Sequence, residues 1–583
     1  MCGIIGYVGF RKASPIIHQG LLALEYRGYD SAGIAILNQN ELKVVKDAGR
    51  IEQVNARHRF ELVEGKTGIG HTRWATHGGV SQKNAHPHQD CEGEIALVHN
   101  GVIENFDELK MKLISLGHVF SSETDTEVIA HLFEQELKKK STKKAFFRAI
   151  SLLSGSWAVA AIKRGENAIY LARNGSPLII GIGNGEMFCA SDVPALLPYT
   201  NKVIYLENGD RAVITPSSYR IYGKDGNIVR RKIHEVEWTL SMAQKGGYSH
   251  FMLKEIYEQK EKVSEALAAD VAEAIQLLKG QKSICVVACG SSYYAGLALK
   301  GLLQQNGVVV DVILGSEFAY LWSRKEKVVI AISQSGETAD TLSAVRIAKS
   351  HGAKIIAITN VAGSSLYREA DVNVLIGAGP EIAVVATKSF TCQLAVLIKI
   401  AMWLSSKKHQ IAKLHLLAGK IDEIIRQIEK IKEIADLISE KRDFFFIGRD
   451  LAFPTALEGA LKLKEITYLH AEAYAAGELK HGPLSLLDEN VVVVALAPAN
   501  QSLPKMLSNI QECKARGAKV IVFSDSKEAL AEGEIGFNMP PCQPFEIPII
   551  YVVPLQLLAY FVAVKHGKDP DKPRNLAKSV TVE

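Results

Sequence analysis

The sequence predicts a multidomain chain in which a sheet-rich α+β domain precedes two doubly wound α/β domains. The chain has 583 residues, and because a single hydrophobic core stops growing at roughly 250–300 residues, we expect about three globular units. Up to residue 221, short β-like runs are broken by glycine and asparagine turns. After residue 283, apolar strands alternate with helical patterns, which is the rhythm of a parallel sheet covered by helices.

The N-terminal domain is expected to span residues 1–221. Its predicted strands are the runs IIGYVG, SAGIAIL, IALVHNG, SWAVAAI, AIYLAR, LIIGIG, MFCASD and RAVIT, with helical patterns around 14–25 and 124–138. Residues 222–272 change character, from a charged hairpin-like segment ending near Trp238 to the long polar helix pattern SHFMLKEIYEQKEKVSEAL. We interpret this region as a linker and the first helix of a second body.

An internal repeat marks the second half. SHGAKIIAIT at 350–359 matches ARGAKVIVFS at 515–524, and upstream of each an apolar strand ends in a glycine turn, VVACGSS and FFFIGRD. Self-similarity of this kind indicates a duplicated structural unit. We therefore expect doubly wound domains at 273–413 and 433–573, followed by a short polar tail at 574–583.

Composition excludes several classes of function. The net charge of +5 is small and the lysines are scattered, so nucleic-acid binding gains no support. The eight cysteines contain no C-x-x-C pair, which predicts neither a disulfide framework nor a zinc site and fits a reducing cytoplasm. The N-terminus MCGIIGYVGF lacks the basic region and long apolar core of a secretory signal.

One apolar stretch, residues 547–564, approaches the length of a membrane span. It contains Pro548, Pro554 and Gln556, so we expect a buried strand leading into a buried helix. The sequence therefore predicts a soluble protein without a membrane partner.

Cys2 directly follows the initiator methionine. Removal of Met1 would leave a thiol and a free α-amine on one residue, and an α-amine with a pKa of roughly 7.7–8.0 can act as a general base at neutral pH. A cysteine at this position is more often incidental when it stands alone. Cys2 is thus a candidate nucleophile that needs support from other segments.

Four further segments supply that support: RGYDSAG at 27–33, HTRWATHG at 71–78, HNG at 99–101 and ETDTE at 123–127. With Cys2 they resemble the class II glutamine amidotransferases, whose N-terminal-nucleophile glutaminase fold is a sandwich. The resemblance implies that glutamine is a substrate. It also implies roles for named residues, with Cys2 as nucleophile, the Asn100 amide and the Gly101 N–H as oxyanion donors, Arg73 on the α-carboxylate, Asp125 on the α-ammonium, and Thr76 and His77 lining the pocket.

Two plainer interpretations apply to this region. HNG would be an ordinary turn after the strand IALV, and such a turn is compatible with an oxyanion hole. Five histidines crowd the same part of the chain but follow no ligand spacing, so no metal site is predicted; they are His71, His77, His86, His88 and His99.

SQSGETADT at 333–341 follows the apolar strand VVIAI and precedes a helix. Hydroxyls and free N–H groups at a helix start form an anion cradle, although a capped helix start would look the same. With CGSSYY at 289–294 and the internal repeat, the segment resembles the sugar isomerase (SIS) domain, a phosphosugar-binding fold. The resemblance assigns phosphate and sugar contacts to Ser292, Ser333, Gln334, Ser335 and Thr338.

The second copy carries ALEGALKLKEITYLHAEAYAAGELKHGP at 456–483. Its Glu458, Lys462 and Glu465 fall at i, i+4 and i+7, so they share one helix face. An exposed salt-bridge ladder would explain this spacing. The small apolar flanks instead favour a half-buried helix facing a cleft, where paired acid and base groups can exchange protons with a substrate.

A glutaminase joined to duplicated SIS domains and ending in LAKSVTVE resembles, over the whole chain, the isomerising amidotransferases that pass ammonia from glutamine to fructose 6-phosphate. The resemblance implies a homodimer without a cofactor. It further implies that Lys578 forms a Schiff base with the ketose, His481 helps to open the ring, Glu465 moves a proton between C1 and C2, Lys462 assists, Trp74 gates an ammonia channel, and Arg27 lies near its mouth.

Three positions depart from that family pattern. Ser291 stands where threonine is common, Ala386 where serine is common, and Ser389 where alanine is common; Ala386 puts one polar contact near the sugar in question. The same architecture would also suit another sugar phosphate, a sensor that has lost turnover, or the glutaminase of another pathway. Joint retention of four residues, Cys2, Glu465, His481 and Lys578, disfavours a sensor. The duplicated isomerase half disfavours another pathway.

Overall fold

The computed structural model describes residues 2–38, 41–75, 77–236, 242, 244–304, 306–405 and 408–581. Contacts divide the chain into two units. Unit 1 comprises Met1–Ala243 with Ser579–Glu583, and unit 2 comprises Gln244–Lys578. Both predicted SIS copies thus lie in one unit, whereas the sequence suggested about three separate units.

Unit 1 is built mainly from antiparallel strands. They are β1 (Gly3–Val8), β2 (Ser31–Asn38), β3 (Glu41–Ala48), β4 (Thr67–Arg73), β5 (His88–Gln89), β6 (Ile95–Ile103), β7 (Gly155–Lys163), β8 (Ile169–Asn174), β9 (Ile179–Ile182), β10 (Met187–Ala190), β11 (Lys202–Tyr205), β12 (Arg211–Thr215), β13 (Ser218–Tyr222), β14 (Ile228–Val229) and β15 (His234–Glu235). One sheet has the order β15-β11-β9-β10-β1-β4-β2-β3, and the other β14-β13-β12-β8-β7-β6-β5.

Five helices cover the outer faces of the two sheets. They are α1 (Ala13–Leu24), α2 (Ile51–His58), α3 (Phe106–Ser115), α4 (Glu127–Leu137) and α5 (Thr142–Ile150). Because strand side chains alternate between faces, Ala158 and Ala160 join the core between the sheets while Val159 and Ala161 pack toward α4 and α5. The result is a helix–sheet–sheet–helix sandwich, in agreement with the predicted fold class.

The segment predicted as a linker contributes to unit 1. β14 pairs with β13 and β15 pairs with β11, so residues up to Glu235 extend the two sheets. Trp238, the predicted end of the hairpin-like segment, lies outside the described residues. The predicted long helix begins at Phe251 in unit 2.

Unit 2 alternates strands and helices. Its strands are β16 (Ser283–Ala288), β17 (Val309–Leu314), β18 (Val328–Ser333), β19 (Lys354–Thr359), β20 (Val372–Leu375), β21 (Asp443–Gly448), β22 (His470–Ala475), β23 (Val491–Leu496), β24 (Lys519–Ser524) and β25 (Ile535–Asn538). Its helices are α6 (Phe251–Ala268), α7 (Ala272–Leu278), α8 (Ser291–Gln304), α9 (Phe318–Leu321), α10 (Ala339–Ser350), α11 (Ser365–Glu369), α12 (Lys388–Leu404), α13 (Leu417–Arg426), α14 (Ile428–Ile438), α15 (Ala452–Thr467), α16 (Leu503–Lys514), α17 (Lys527–Glu532), α18 (Ile547–Ile550) and α19 (Val552–Lys565).

The two sheets of unit 2 have the same topology. Their orders are β17-β16-β18-β19-β20 and β22-β21-β23-β24-β25, and every pairing is parallel. The two sequence repeats supply β19 and β24, which occupy corresponding places. In such sheets ligands bind at the carboxyl ends of the strands where the order reverses, which in the first copy is between β16 and β18.

One apolar core joins the two copies within unit 2. Val286 of β16, Val396 of α12, Phe446 of β21 and Leu555 of α19 belong to the same buried cluster. Helix α12 is buried along most of its length, because elements of both copies cover it. This shared core explains why the two copies form one unit.

Within the described residues, one segment, Pro544–Lys565, is long and apolar enough to cross a membrane. Of its most apolar window, 89% is buried inside the fold, as in a core helix of a globular protein. The strand predicted at its start is wrong, because residues 547–550 form helix α18. Pro548 lies in the first turn of that helix, where a missing N–H costs no hydrogen bond.

Candidate active sites

Cys2 lies immediately before β1, and its thiol is held against the end of β4. The Trp74 backbone N–H donates to the Cys2 Sγ at 3.2 Å, and the Asn100 side-chain amide donates to the Cys2 carbonyl at 2.9 Å. Burial raises the pKa of the Cys2 thiol. Because the thiolate is the reactive form of a cysteine, a reaction at Cys2 would need a base near the thiol.

His71 fixes the orientation of Asn100. Its Nε2 lies 2.9 Å from the His99 carbonyl oxygen and 3.1 Å from the Asn100 Oδ1. Both partners are acceptors, so Nε2 must carry the proton, and burial lowers the pKa of His71 to about 3. The neutral imidazole therefore holds the Asn100 oxygen and leaves the Asn100 Nδ2 directed to Cys2. Sequence reasoning assigned His71 no role.

Arg73 and Asp125 place opposite charges near the thiol. Arg73 is 3% exposed and donates to the Gly78 and Gly79 carbonyls at 3.1 and 3.2 Å. Asp125 is also buried and accepts the Ile103 N–H at 2.8 Å. The charges of both residues act on the Cys2 thiol. The structure thus places both predicted glutamine-binding residues near Cys2, the predicted nucleophile.

Gly101 and His77 complete the described part of this site. Gly101 has φ +121°, and a Cβ built there would lie 1.9 Å from the Ser156 carbonyl oxygen, so this position requires glycine. The His77 ring meets Phe106 edge-on at 5.5 Å between centroids. Thr76, predicted to line the same pocket, lies outside the described residues.

Four of the five crowded histidines form a buried cluster. The His71 and His86 rings stack at 4.1 Å, and His86 meets His88 at 4.6 Å. The hydroxyl of Thr126 lies 2.9 Å from both His86 Nε2 and His99 Nδ1. Burial lowers the pKa of each of these histidines, so neutral rings brace the segment that carries Asp125.

The residues expected at an ammonia channel lie close to Cys2. The Trp74 ring is half-buried and meets Tyr29 edge-on at 5.7 Å. Arg27 is buried, forms a 2.8 Å ion pair with Asp192 and donates from Nε to the Cys2 carbonyl at 3.3 Å. Arg27 therefore contacts the nucleophile's backbone, which the resemblance did not imply.

In unit 2, the predicted anion loop follows β18 at the point where the strand order reverses. The Ser333 Oγ accepts the Gly336 N–H at 3.1 Å and lies 2.9 Å from the Thr338 Oγ1. The Ser335 Oγ accepts the Glu337 N–H at 3.1 Å. These contacts gather three hydroxyls just before α10, where N–H groups and the helix dipole favour an anion.

The loop is closely packed. Gly336 has φ +66°, and an added Cβ would lie 2.1 Å from the Ser364 Oγ. The Gln334 carbonyl accepts the Asn360 N–H at 3.0 Å. Ser292, in the first turn of α8, accepts from the Gln393 side-chain amide at 3.1 Å. All five predicted sugar and phosphate contacts thus lie on the β18–α10 loop or on the first turn of α8.

A charged group spans the two copies at the start of α8. The Lys462 ammonium lies 2.5 Å from Glu465, 3.4 Å from Glu458 and 3.3 Å from the Ser291 hydroxyl, which donates to Glu458 at 2.9 Å. Burial raises the pKa of Glu458 to about 7. Although burial opposes it, the two carboxylates raise the pKa of Lys462. The three charges thus form an acid–base group in which Glu458 and Lys462 are buried and Glu465 is half-buried, and not the exposed salt-bridge ladder that the spacing alone would also allow.

Lys578 is tied to the loop before α12. Its ammonium pairs with Glu381, and their side chains are 7% and 0% exposed. Glu381 also accepts the Ser389 hydroxyl at 2.6 Å and the Thr387 N–H at 3.0 Å. Against the effect of burial, Lys578 lowers the pKa of Glu381 to about 2. Sequence reasoning did not find Glu381, and it gave Ser389 no partner.

His481 stands apart from these groups. It is exposed at the end of the short 3-10 helix Ala476–His481. Among the described residues, no hydrogen bond or ion pair holds its side chain. The structure therefore does not bring His481 into the contacts of Lys462 and Glu465.

Comparison with known proteins agrees with both kinds of domain. A model of the SIS domain matches residues 277–401 and 437–565, and a model of the glutamine amidotransferase domain matches residues 71–198. The C-terminal domain of glucosamine-fructose-6-phosphate aminotransferase from Francisella tularensis has a TM-score of 0.53 and 41% identity, covering 56% of this chain and 99% of that chain.

Two curated relatives match from end to end. The glutamine--fructose-6-phosphate aminotransferases (isomerizing) of Thermococcus kodakarensis and Pyrococcus horikoshii are 50% and 48% identical over 602 and 600 residues, covering 100% of each chain. With a nucleophile site in unit 1 and a duplicated SIS architecture in unit 2, the chain belongs to the family of isomerising glutamine–fructose-6-phosphate aminotransferases.

Proposed function

We propose that this chain releases ammonia from glutamine at Cys2 and uses it to convert fructose 6-phosphate to glucosamine 6-phosphate. Full-length identity of 50% to a relative with that name carries the proposal. The two units support it, because one holds a thiol beside oxyanion donors and the other a hydroxyl-rich anion loop beside a lysine and carboxylates.

In the glutaminase step, the Cys2 sulfur attacks the side-chain amide carbon of glutamine. The Asn100 Nδ2 and the Gly101 N–H stabilise the oxyanion, a contribution of about 3 kcal/mol for each donor. Arg73 holds the α-carboxylate and Asp125 holds the α-ammonium. Ammonia leaves as the thioester forms, and water then releases glutamate and restores the thiol.

In the sugar step, the β18–α10 loop and Ser292 hold the phosphate. The Lys578 amine attacks the C2 carbonyl of the open ketose and water leaves, which gives a Schiff base that ammonia then displaces. Glu465 moves a proton from C1 to C2 with Lys462 beside it, and His481 assists ring opening. Lys578 must first lose its proton, because the Glu381 carboxylate stabilises the ammonium.

The wider setting is also a proposal. We place the enzyme in the cytoplasm, since all eight cysteines are free. A homodimer through the SIS half, and an ammonia channel with Trp74 as gate and Arg27 at its mouth, follow from the family resemblance. The contacts of both residues with Cys2 support their position at the start of such a channel.

One incubation tests the whole reaction. The protein receives fructose 6-phosphate, glutamine labelled with heavy nitrogen in the amide, and excess unlabelled ammonium, and the hexosamine is read by mass spectrometry. Labelled glucosamine 6-phosphate is expected, because ammonia passes between the sites without mixing with solvent. Glutamate without amino sugar would reject the sugar assignment and leave the glutaminase.

Two variants separate the half-reactions. Cys2→Ala should abolish glutamine hydrolysis and still convert fructose 6-phosphate to glucose 6-phosphate; unchanged glutaminase activity would reject the nucleophile. Borohydride should trap fructose 6-phosphate on Lys578, and labelling that persists in Lys578→Ala would contradict the Schiff base.

A further inference from the structure

Four potential metal ligands converge in unit 1, outside the residues assigned to glutamine. The donor atoms of Cys91, His118, His131 and Glu134 all lie within 4.8 Å of one another. Cys91 follows β5, His118 lies between α3 and α4, and His131 and Glu134 are one turn apart on α4. Residues at i and i+3 share a helix face, so three chain segments meet at this point.

The distances between donor atoms suit a tetrahedral cation. The Cys91 Sγ lies 3.6 Å from His131 Nδ1 and 3.8 Å from His118 Nδ1, and Glu134 Oε2 lies 3.3 and 3.0 Å from the same two nitrogens. A zinc ion about 2.3 Å from sulfur and about 2.0 Å from nitrogen and oxygen places its ligands roughly 3.3–3.6 Å apart. The observed distances between donor atoms lie within a few tenths of an ångström of that range.

The second nitrogen of His118 also faces an oxygen. The His118 Nε2 lies 3.1 Å from the Gln135 Oε1, whereas the His131 Nε2 lies 3.7 Å from the Glu127 Oε1, beyond hydrogen-bond distance. Both Nδ1 atoms face Glu134. The two rings lie 5.2 Å apart between centroids, and their side chains are only 2% and 1% exposed, so two ligating nitrogens converge in a buried setting.

A divalent cation fits this arrangement. It accepts the two Nδ1 lone pairs, and the His118 Nε2–H is left to donate to the Gln135 side-chain oxygen, the kind of outer hydrogen bond that orients zinc-binding histidines. One thiolate and one carboxylate balance its charge. We infer that Cys91, His118, His131 and Glu134 bind one divalent transition-metal ion, with zinc favoured by two imidazoles, a thiolate and a carboxylate in tetrahedral array.

The inferred site is structural. Four protein ligands leave no open position for a substrate. The ion would fasten α4, and Glu127, the first residue of that helix, accepts the backbone N–H groups of Ser121 and Ser122 at 2.8 and 2.7 Å. Asp125, proposed to bind the α-ammonium of glutamine, lies between these serines and Glu127. The ion would therefore stabilise the segment that carries Asp125.

The test uses the full-length protein and the metal alone. After removal of metal with a chelator and addition of Zn²⁺ or Co²⁺, metal content is measured by mass spectrometry and the Co²⁺ form by absorption spectroscopy. We expect about one ion per chain, visible d–d bands of tetrahedral Co²⁺, and a thiolate-to-metal charge-transfer band in the near ultraviolet. Cys91→Ser should remove the charge-transfer band, and His118→Gln should lower metal content.

Two control variants and a stability measurement complete the design. Cys542→Ser and His351→Gln alter a thiol and an imidazole in unit 2 and should keep both the ion and its spectrum. Chelator should lower the melting temperature of the unaltered protein and leave that of Cys91→Ser unchanged, because a ligand that binds only the folded state stabilises it. Three results would each overturn the inference. They are the absence of bound metal, a Co²⁺ spectrum without the thiolate band, and a Cys91→Ser variant that keeps the full metal content and spectrum.

Discussion

Replacement of Glu381 by glutamine tests the ion pair that holds Lys578. The Glu381 side chain is fully buried and Lys578 is 7% exposed, so solvent screens the pair little. Glu255 also acts on Glu381, but burial raises its pKa to about 8, which leaves it mainly neutral at pH 7. Glu381→Gln should therefore remove the principal negative charge that faces the Lys578 ammonium.

The size of the effect follows from the pKa of Glu381. A fall from 4.5 to about 2 corresponds to about 3 kcal/mol of stability at neutral pH. Loss of one partner of a buried ion pair generally costs about 3–5 kcal/mol, and the value obtained from the pKa of Glu381 agrees with that range. Because the folded-state pKa is depressed, this stability is fully present above pH 4.5 and is lost as the pH falls through about 2.

Calorimetry of the full chain measures the effect, since the two units can unfold in separate transitions. At pH 7 we expect the transition of unit 2 to fall by roughly 5 °C or more in Glu381→Gln. The difference from the unaltered protein should shrink between pH 5 and about pH 3. The matched control is Glu433→Gln, which breaks an exposed pair with Lys430 and should change stability by less than about 1 kcal/mol.

Two results would refute this reasoning. The first is that Glu381→Gln melts at the same temperature as the Glu433→Gln control, which would mean that the ion pair with Lys578 contributes no stability. The second is a difference in melting temperature from the unaltered protein that stays constant down to pH 3. It would show that the lost stability comes from packing, not from the carboxylate charge. Either outcome would show that the Glu381 charge does not hold the Lys578 ammonium in place.

Two more predictions concern the acid–base groups. His71→Gln should lower the kcat of glutamine hydrolysis about fivefold with little change in KM, because Asn100 loses a hydrogen bond of about 1 kcal/mol that orients it. A His18→Gln control should keep the normal rate, and an unchanged kcat in the variant would contradict the assignment. The rate of fructose 6-phosphate isomerisation should rise as the pH passes through about 7. In this range the Glu458 carboxyl ionises, and its charge draws Lys462 toward itself. Glu458→Gln should remove this rising limb of the pH–rate profile. If the limb persisted in the variant, Glu458 would not be the group whose ionisation controls the rate.

The sequence predicted the fold class because its signals are local. Apolar runs, glycine turns and the matching segments at 350–359 and 515–524 are visible in short windows, and the structure places both segments in corresponding strands of identical topology. Helices α2 and α3 escaped notice because they are short and carry only two buried residues each. Short elements of this kind depend on tertiary packing more than on their own propensity.

Strand β4 shows a different limit. Its sequence, TGIGHTR, lacks an apolar run, yet every residue is buried. Gly68 and Gly70 face the Ile17 side chain of α1, and a Cβ on Gly70 would lie 2.4 Å from it. The strand is buried because glycine lets a helix approach closely, and a window of sequence gives no sign of the helix that covers it.

The sequence by itself indicated the two doubly wound copies and the hydroxyl-rich loop after β18, because each depends on neighbours within about ten residues. It indicated the sandwich, and predicted Cys2 as a nucleophile, only through several separate segments taken together. Only the tertiary structure decided which distant groups meet. It paired Lys578 with Glu381, set His71 against Asn100, and gathered Cys91, His118, His131 and Glu134. Those contacts depend on how strands and helices pack, and that packing fixes the charge, tautomer and ligand geometry on which the chemistry depends.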